Sequence, residues 1–164
     1  MRRITIACAL AGLLGAMGAI PATASDSPLV PDGALTFRNV SGGNCIKAMS
    51  SSSVYAKDCD TSSVAQQWTA VKLDHGQMKL RSVERGSCLM LVPSGHFPAY
   101  SLRDCAKASI FTAQIAKTAG AVVLKQIDRN SYLAEGKGTG ETFLTPTPSP
   151  KVKMAQWILT PASS

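Results

Sequence analysis

The sequence predicts an all-β chain folded as a β-trefoil, on three observations: a threefold internal repeat, a strand–turn–strand opening to each unit, and a large aromatic closing each unit. Three segments align without a gap, Leu35–Ile46, Met78–Leu89 and Val122–Leu133, at offsets of 43 and 44 residues. Each reads apolar, any, apolar, basic, any, apolar, then a turn, then Cys or Tyr and an apolar residue. Alternation at the start is the period-2 signature of a half-buried strand. The ninth position holds Gly43, Gly86 or Asn130, residue types that tolerate a left-handed backbone in a turn.

The unit ends match as well. Trp68 lies 23 residues after Cys45, Phe111 lies 23 after Cys88, and Trp157 lies 25 after Tyr132. One ring per repeat can then pack around a common axis, with Leu80 and Leu124 among the neighbours. Repeats of this length also occur as propeller blades, but three blades are too few to close a propeller. Gly, Pro and Ser interrupt most windows that a long amphipathic helix would need. The predicted units span about 35–77, 78–121 and 122–160, within a trefoil domain at 35–164.

Ahead of the repeats, Met1-Arg2-Arg3 is a short basic start, Ile4–Ile20 an apolar run, and Pro21 precedes the small-residue site Ala22-Thr23-Ala24. That order is what a secretory signal peptide looks like, with cleavage after Ala24. Gly12, Gly15, Gly18 and Pro21 weaken the alternative of a retained anchor, and the run is at the short limit for a bilayer. Residues 25–34 form a short N-terminal segment. No later stretch is long and apolar enough to span a membrane, so export to the periplasm or the medium is expected.

Loss of Arg2 and Arg3 lowers the net charge from +7 to +5, since all ten acidic residues lie beyond Ala24. Positive charge favours acidic partners or membrane surfaces. The charges are scattered and the aromatics scarce, which argues against the basic, aromatic-interleaved stripe of a nucleic-acid binder. Four cysteines remain, Cys45, Cys59, Cys88 and Cys105. An even count in an exported domain reads as two disulfides. The gaps of 14 and 17 residues, and the isolation of His75 and His96, do not suit a metal site.

Cys45-Ile46, Cys59-Asp60 and Gln66-Gln67-Trp68 together resemble the Cys-Leu, Cys-Asp and Gln-x-Trp repeat of ricin-B-type lectins, over nearly all of the mature chain. Repeat two has Ser109-Ile110-Phe111 and repeat three Ala155-Gln156-Trp157, and Tyr132 replaces the first cysteine of repeat three. Each cysteine pair sits at matching ends of one repeat, so Cys45 is expected to join Cys59 and Cys88 to join Cys105. A narrower likeness is carried by Leu35-Thr36-Phe37-Arg38-Asn39-Val40 and by the block Phe111–Lys125. Both are similar to the A and C subunits of cytolethal distending toxins. That resemblance implies a non-catalytic trefoil subunit, partnered by a nuclease subunit and a sister trefoil, that binds a host-cell receptor or glycan and helps deliver the nuclease. The other reading is a free-standing secreted lectin; a third, weaker one is an inhibitor of a hydrolase.

In ricin-type lectins the sugar-binding acid stands two residues after the first cysteine and the stacking ring about two before the second. Here those positions hold Lys47, Met90 and Ala134, and Lys57 and Arg103; Ala65 stands where an amide is expected, and Glu135 is one place off. Ordinary lectin chemistry is therefore missing from at least two repeats, and simple sugars are expected to bind weakly or not at all. One candidate for recognition elsewhere is His96, Phe97 and Tyr100, an apolar cluster at the tip of the Cys88–Cys105 loop, of the kind that marks contacts when exposed; folding back of Phe97 and Tyr100 onto the core is the favoured reading. No G-x-S-x-G, H-E-x-x-H or phosphate-cradling glycine loop is present. Asp58 and Asp60 flank Cys59 as turn caps, and Ser50–Ser53 reads as a polar loop. No enzyme activity and no cofactor are expected.

Overall fold

A computed structural model describes residues 29–93, 98–138 and 142–162. The expected signal peptide, residues 25–28 of the short N-terminal segment, and His96 and Phe97 lie outside the described residues. Twelve strands are found among those described. The first unit contributes β1 (Ala34–Asn39), β2 (Cys45–Ala48), β3 (Val54–Lys57) and β4 (Trp68–Lys72). The second contributes β5 (Gln77–Ser82), β6 (Cys88–Val92), β7 (Ala99–Arg103) and β8 (Phe111–Ile115). The third contributes β9 (Ala121–Gln126), β10 (Ser131–Lys137), β11 (Thr142–Thr147) and β12 (Gln156–Pro161).

The first and fourth strands of the units pair in a closed ring, β1–β4–β5–β8–β9–β12 and back to β1, every pairing antiparallel. Closure leaves no edge among these six strands. The hairpins β2–β3, β6–β7 and β10–β11 cap one end. Six barrel strands capped by three hairpins is the β-trefoil. Gly43, Gly86 and Asn130 turn the chain between the first two strands of each unit with φ of 75°, 67° and 49°. Position nine of the repeat is therefore the left-handed position, where a Cβ-bearing residue other than Asn or Asp is strained.

Inside the barrel, Phe37, Leu80 and Leu124 face Trp68, Phe111 and Trp157, all of them fully buried. Both indoles also bond the backbone: Trp68 Nε1 donates to Ile46 O at 3.0 Å, and Trp157 Nε1 to Leu133 O at 2.9 Å. Phe111 has no such donor. In its unit the backbone N–H of Ser109 donates to Leu89 O at 3.1 Å instead, so the carbonyl at the matching position still has a partner.

Cys45 is bonded to Cys59 and Cys88 to Cys105, with Cα–Cα distances of 4.9 and 4.8 Å. Each bridge ties the start of the second strand to the loop after the third. The third unit has no cysteines, and there the hairpin itself is longer. Its ladder runs over six residue pairs from Tyr132↔Thr147 to Lys137↔Thr142, against four pairs in β2–β3 and five in β6–β7. Added ladder stands where the covalent bond is missing. No helix among the described residues is long and apolar enough to cross a membrane.

Candidate functional site

The positions that carry sugar chemistry in ricin-type lectins lie on the second and third strands of each hairpin. Lys47 pairs across the ladder with Tyr55, and the Lys57 ammonium stands 5.6 Å from the centre of the Tyr55 ring. The Tyr55 ring is thus met by a cation rather than left as an open platform. Arg103 Nη1 donates to the neighbouring Leu102 O, and Ala134 is fully buried. The side chains of Lys47, Lys57, Arg103 and Ala134 hold no acceptor for a sugar hydroxyl. Asp60 does carry a carboxylate beside this face, but it caps its own turn: Oδ1 accepts from the Ser62 hydroxyl at 2.6 Å and the Ser62 N–H at 3.0 Å. These bonds, with a smaller contribution from the Lys47 charge, hold its carboxyl below the usual range. Gln66, the glutamine of Gln-x-Trp, is buried and braces the same turn, accepting from Asp60 N and donating to Asp58 O, both at 2.8 Å.

The three units meet at three equivalent junctions. At each, the turn after the first strand of one unit leans on the unit before it: Val83 N–H donates to Gln67 O, Ile127 N–H to Ile110 O, and Val40 N–H to Gln156 O, at 3.0, 3.0 and 2.9 Å. Three residues after Cys45, Cys88 and Tyr132, on the second strand of each unit, stand Ala48, Leu91 and Glu135. Glu135 is only 3% exposed. Its Oε1 accepts from Asn44 Nδ2 at 2.8 Å, and its Oε2 has no hydrogen-bond partner. The carboxylate lies against Gly42, where an added Cβ would fall inside its van der Waals radius. Glu135 is thus enclosed at the seam of the third and first units, not offered to a sugar from the hairpin face.

The seam between the second and third units is open. A cleft of about 260 Å³ runs there. Met90, Leu91, Ile110 and Ile127 supply apolar walls, and Lys107, Asp128 and Arg129 stand among the lining residues. Its opening has a local cause. In the first and third units a 3-10 turn, Val64–Gln66 or Lys153–Ala155, ends two residues before the closing Trp. In the second unit the turn Cys105–Lys107 ends four before Phe111. Short Ser109 then stands where the first unit buries Gln66. The Ser109 hydroxyl accepts from Leu91 N–H at 2.9 Å. This cleft was not foreseen from sequence; the signal for it was the replacement of Gln-x-Trp by Ser109-Ile110-Phe111.

Tyr100, a candidate above for surface recognition, folds back as a core residue. It is 3% exposed, packs against the Phe111 ring at 6.1 Å, and donates its hydroxyl to Gln126 Oε1 at 2.7 Å. The physical reason is strand parity: on β7 Tyr100 and Leu102 point inward while Ala99, Ser101 and Arg103 do not. Burial, with the Asp128 charge adding to it, pushes the phenol well above its ordinary pKa. The Ser50–Ser53 loop is likewise pinned, with Ser52 O accepting from Leu102 N–H at 2.8 Å and Ser53 bridging Ser101.

Comparison with known proteins supplies the family. The model of the cytolethal distending toxin A/C domain matches residues 22–116, more than half of the chain. No match was found among curated proteins. Among solved structures the chain is similar to the designed threefold-symmetric ThreeFoil, at 15% identity and a TM-score of 0.68, covering 79% of this chain and 99% of that one. It is similar to the Macrolepiota procera ricin B-like lectin in complex with lactose, at 17% identity and a TM-score of 0.68, covering 80% and 98%. It is also similar to SeviL bound to an asialo-GM1 saccharide, at 15% identity and a TM-score of 0.62, covering 81% and 100%. At these identities the structural likeness speaks for the fold, and the sequence model for descent: the chain belongs to the cytolethal distending toxin A/C domain family, built on a ricin-B-type β-trefoil.

Proposed function

We propose that this chain is a non-catalytic binding and delivery subunit of a secreted, cytolethal-distending-toxin-like heteromer. It binds a receptor or glycan on the host-cell surface and helps deliver a nuclease subunit, alongside a sister trefoil subunit. The observation that carries this reading is the family match over residues 22–116. The site chemistry agrees with it: Lys47, Met90 and Ala134 stand where a lectin needs hydroxyl acceptors, while the closed barrel offers rigid loops to a protein partner. Co-expression with a DNase-I-like nuclease and a second A/C-type trefoil tests it. A stable ternary complex is expected, and DNA damage in animal cells only when all three are present.

A second reading, a free-standing lectin, is favoured by the carbohydrate-bound state of two structural neighbours, one with lactose and one with an asialo-GM1 saccharide. Titration calorimetry of the isolated chain with lactose separates the two. A micromolar constant, together with no association with the nuclease, would overturn the delivery reading and leave the lectin.

A further inference from the structure

We propose that the cleft between the second and third units binds a small apolar acid, a carboxylate carried on a short alkyl or aryl body. The walls come first. Met90, Leu91, Ile110 and Ile127 give an aliphatic lining with no aromatic platform among the residues that form it. Side-chain oxygen acceptors in the lining are confined to Gln77, Ser109 and Asp128, and the last two already accept from Leu91 N–H and Gln126 Nε2. A sugar ring would desolvate most of its hydroxyls against these walls, whereas an alkyl or aryl body loses nothing there. The charge comes second. Lys107 and Arg129 are two cations at the cleft, set against the single carboxylate of Asp128. That carboxylate is already engaged: Oδ1 accepts from Gln126 Nε2 at 2.9 Å, and Oδ2 lies 4.0 Å from Arg129 Nε. The balance favours an anion over a neutral or cationic guest.

The fold shows the same kind of occupant at an equivalent seam. Glu135 stands at the position of Leu91, and Gly42, against which its carboxylate rests, at the position of Arg129. Two methylenes ended by a carboxylate thus fill the seam of the third and first units. Where Leu91 and Arg129 replace Glu135 and Gly42, the internal acid is gone and a cation stands where glycine stood. A volume of about 260 Å³ lies just below the 300–1,000 Å³ usual for ligand clefts, so the guest is small. This inference goes beyond the delivery reading and does not depend on it.

Octanoate is the probe, with octanol, octylammonium and N-acetylneuraminate beside it, read by the methyl resonances of ¹³C-labelled methionine in the full mature chain. Octanoate is expected to shift the Met90 methyl with a Kd of about 1 mM or tighter. Octanol should bind at least tenfold more weakly, and octylammonium should leave the resonance in place. The double charge reversal Lys107→Glu/Arg129→Glu alters two exposed side chains and is expected to weaken octanoate at least tenfold. Leu91→Glu, checked for folding by its melting curve, is expected to fill the cleft as Glu135 does and to abolish the shift. An unmoved Met90 methyl, equal binding of octylammonium, or binding indifferent to the charge reversal overturns the proposal. Preference for N-acetylneuraminate over octanoate also overturns it, since the guest would then be an acidic sugar.

Discussion

Trp68→Phe tests whether the closing aromatics act by volume alone or also as hydrogen-bond donors. Trp68 is fully buried, and its Nε1 donates to Ile46 O at 3.0 Å. Phenylalanine keeps a ring but withdraws that donor from a site that water does not reach. A buried polar group left without its partner costs about 1–3 kcal/mol. The smaller ring also leaves a void, in a setting where full truncation of an aromatic costs about 3–5 kcal/mol. The sum is about 2–4 kcal/mol, and the melting temperature falls by roughly 3–5 °C per kcal/mol in a domain of this size. The reciprocal variant, Phe111→Trp, makes the reasoning sharper. Leu89 O already accepts from Ser109 N–H at 3.1 Å, so the new indole finds its acceptor taken, and overpacking costs about 1–3 kcal/mol. Urea denaturation of both variants, monitored by circular dichroism, gives the two values. If Trp68→Phe melts with the wild type, or if Phe111→Trp is stabilised, the donor exchange between units is wrong.

Gly42→Ala should destabilise by about 1–3 kcal/mol through its clash with the Glu135 carboxylate. In a Glu135→Ala background most of that loss should vanish, and a double-mutant cycle showing no coupling would remove Glu135 from the seam. Replacing Cys88 and Cys105 by alanine should cost about 2–4 kcal/mol, measured by the shift of the urea midpoint; a midpoint that stays in place contradicts a structural role for the bridge. Tyr100 titrates above its ordinary value because burial penalises the phenolate. A raised folded pKa means that its contribution is whole below the unfolded value of about 10 and is lost as pH rises beyond it. Tyr100→Phe should therefore flatten the alkaline limb of the stability curve, and an unchanged limb would refute the assignment.

The repeat was legible because it is written in residues whose roles are local. Position nine needs a left-handed backbone, and Gly43, Gly86 and Asn130 are residues that tolerate it. Alternation in β1, β5 and β9 marks the inward face, and a large ring closes each unit. The site was less legible because burial of single side chains depends on strand parity and on contacts from the next unit. The sequence His96-Phe97-Pro98-Ala99-Tyr100 reads as one apolar cluster, yet parity on β7 sends Tyr100 into the core beside Phe111. Glu135 reads as a displaced sugar ligand. What encloses it is Gly42 and Asn44, more than ninety residues away in the chain and adjacent only once the barrel has closed. No local pattern announces a seam.

Divergence among the three seams is where this trefoil departs from a symmetric scaffold. Each unit faces the same backbone geometry, since Val83, Ile127 and Val40 donate to matching carbonyls. The side chains then differ: Ala48 with Arg85 at the first seam, Leu91 with Arg129 at the second, Glu135 with Gly42 at the third. A barrel closed by six mutually paired strands tolerates such change, because its core contacts lie inside the ring and the seams lie at the hairpin caps. Glu135 shows the limit of that tolerance. A carboxylate only 3% exposed, with a single hydrogen bond, carries a desolvation penalty that an alanine there would not. What Glu135 does supply is geometry: it fixes the first unit's turn through Asn44, beside the pairing of β3 with β11 that joins the hairpins β2–β3 and β10–β11. The binding role proposed above depends on that kind of fixed relation between loops.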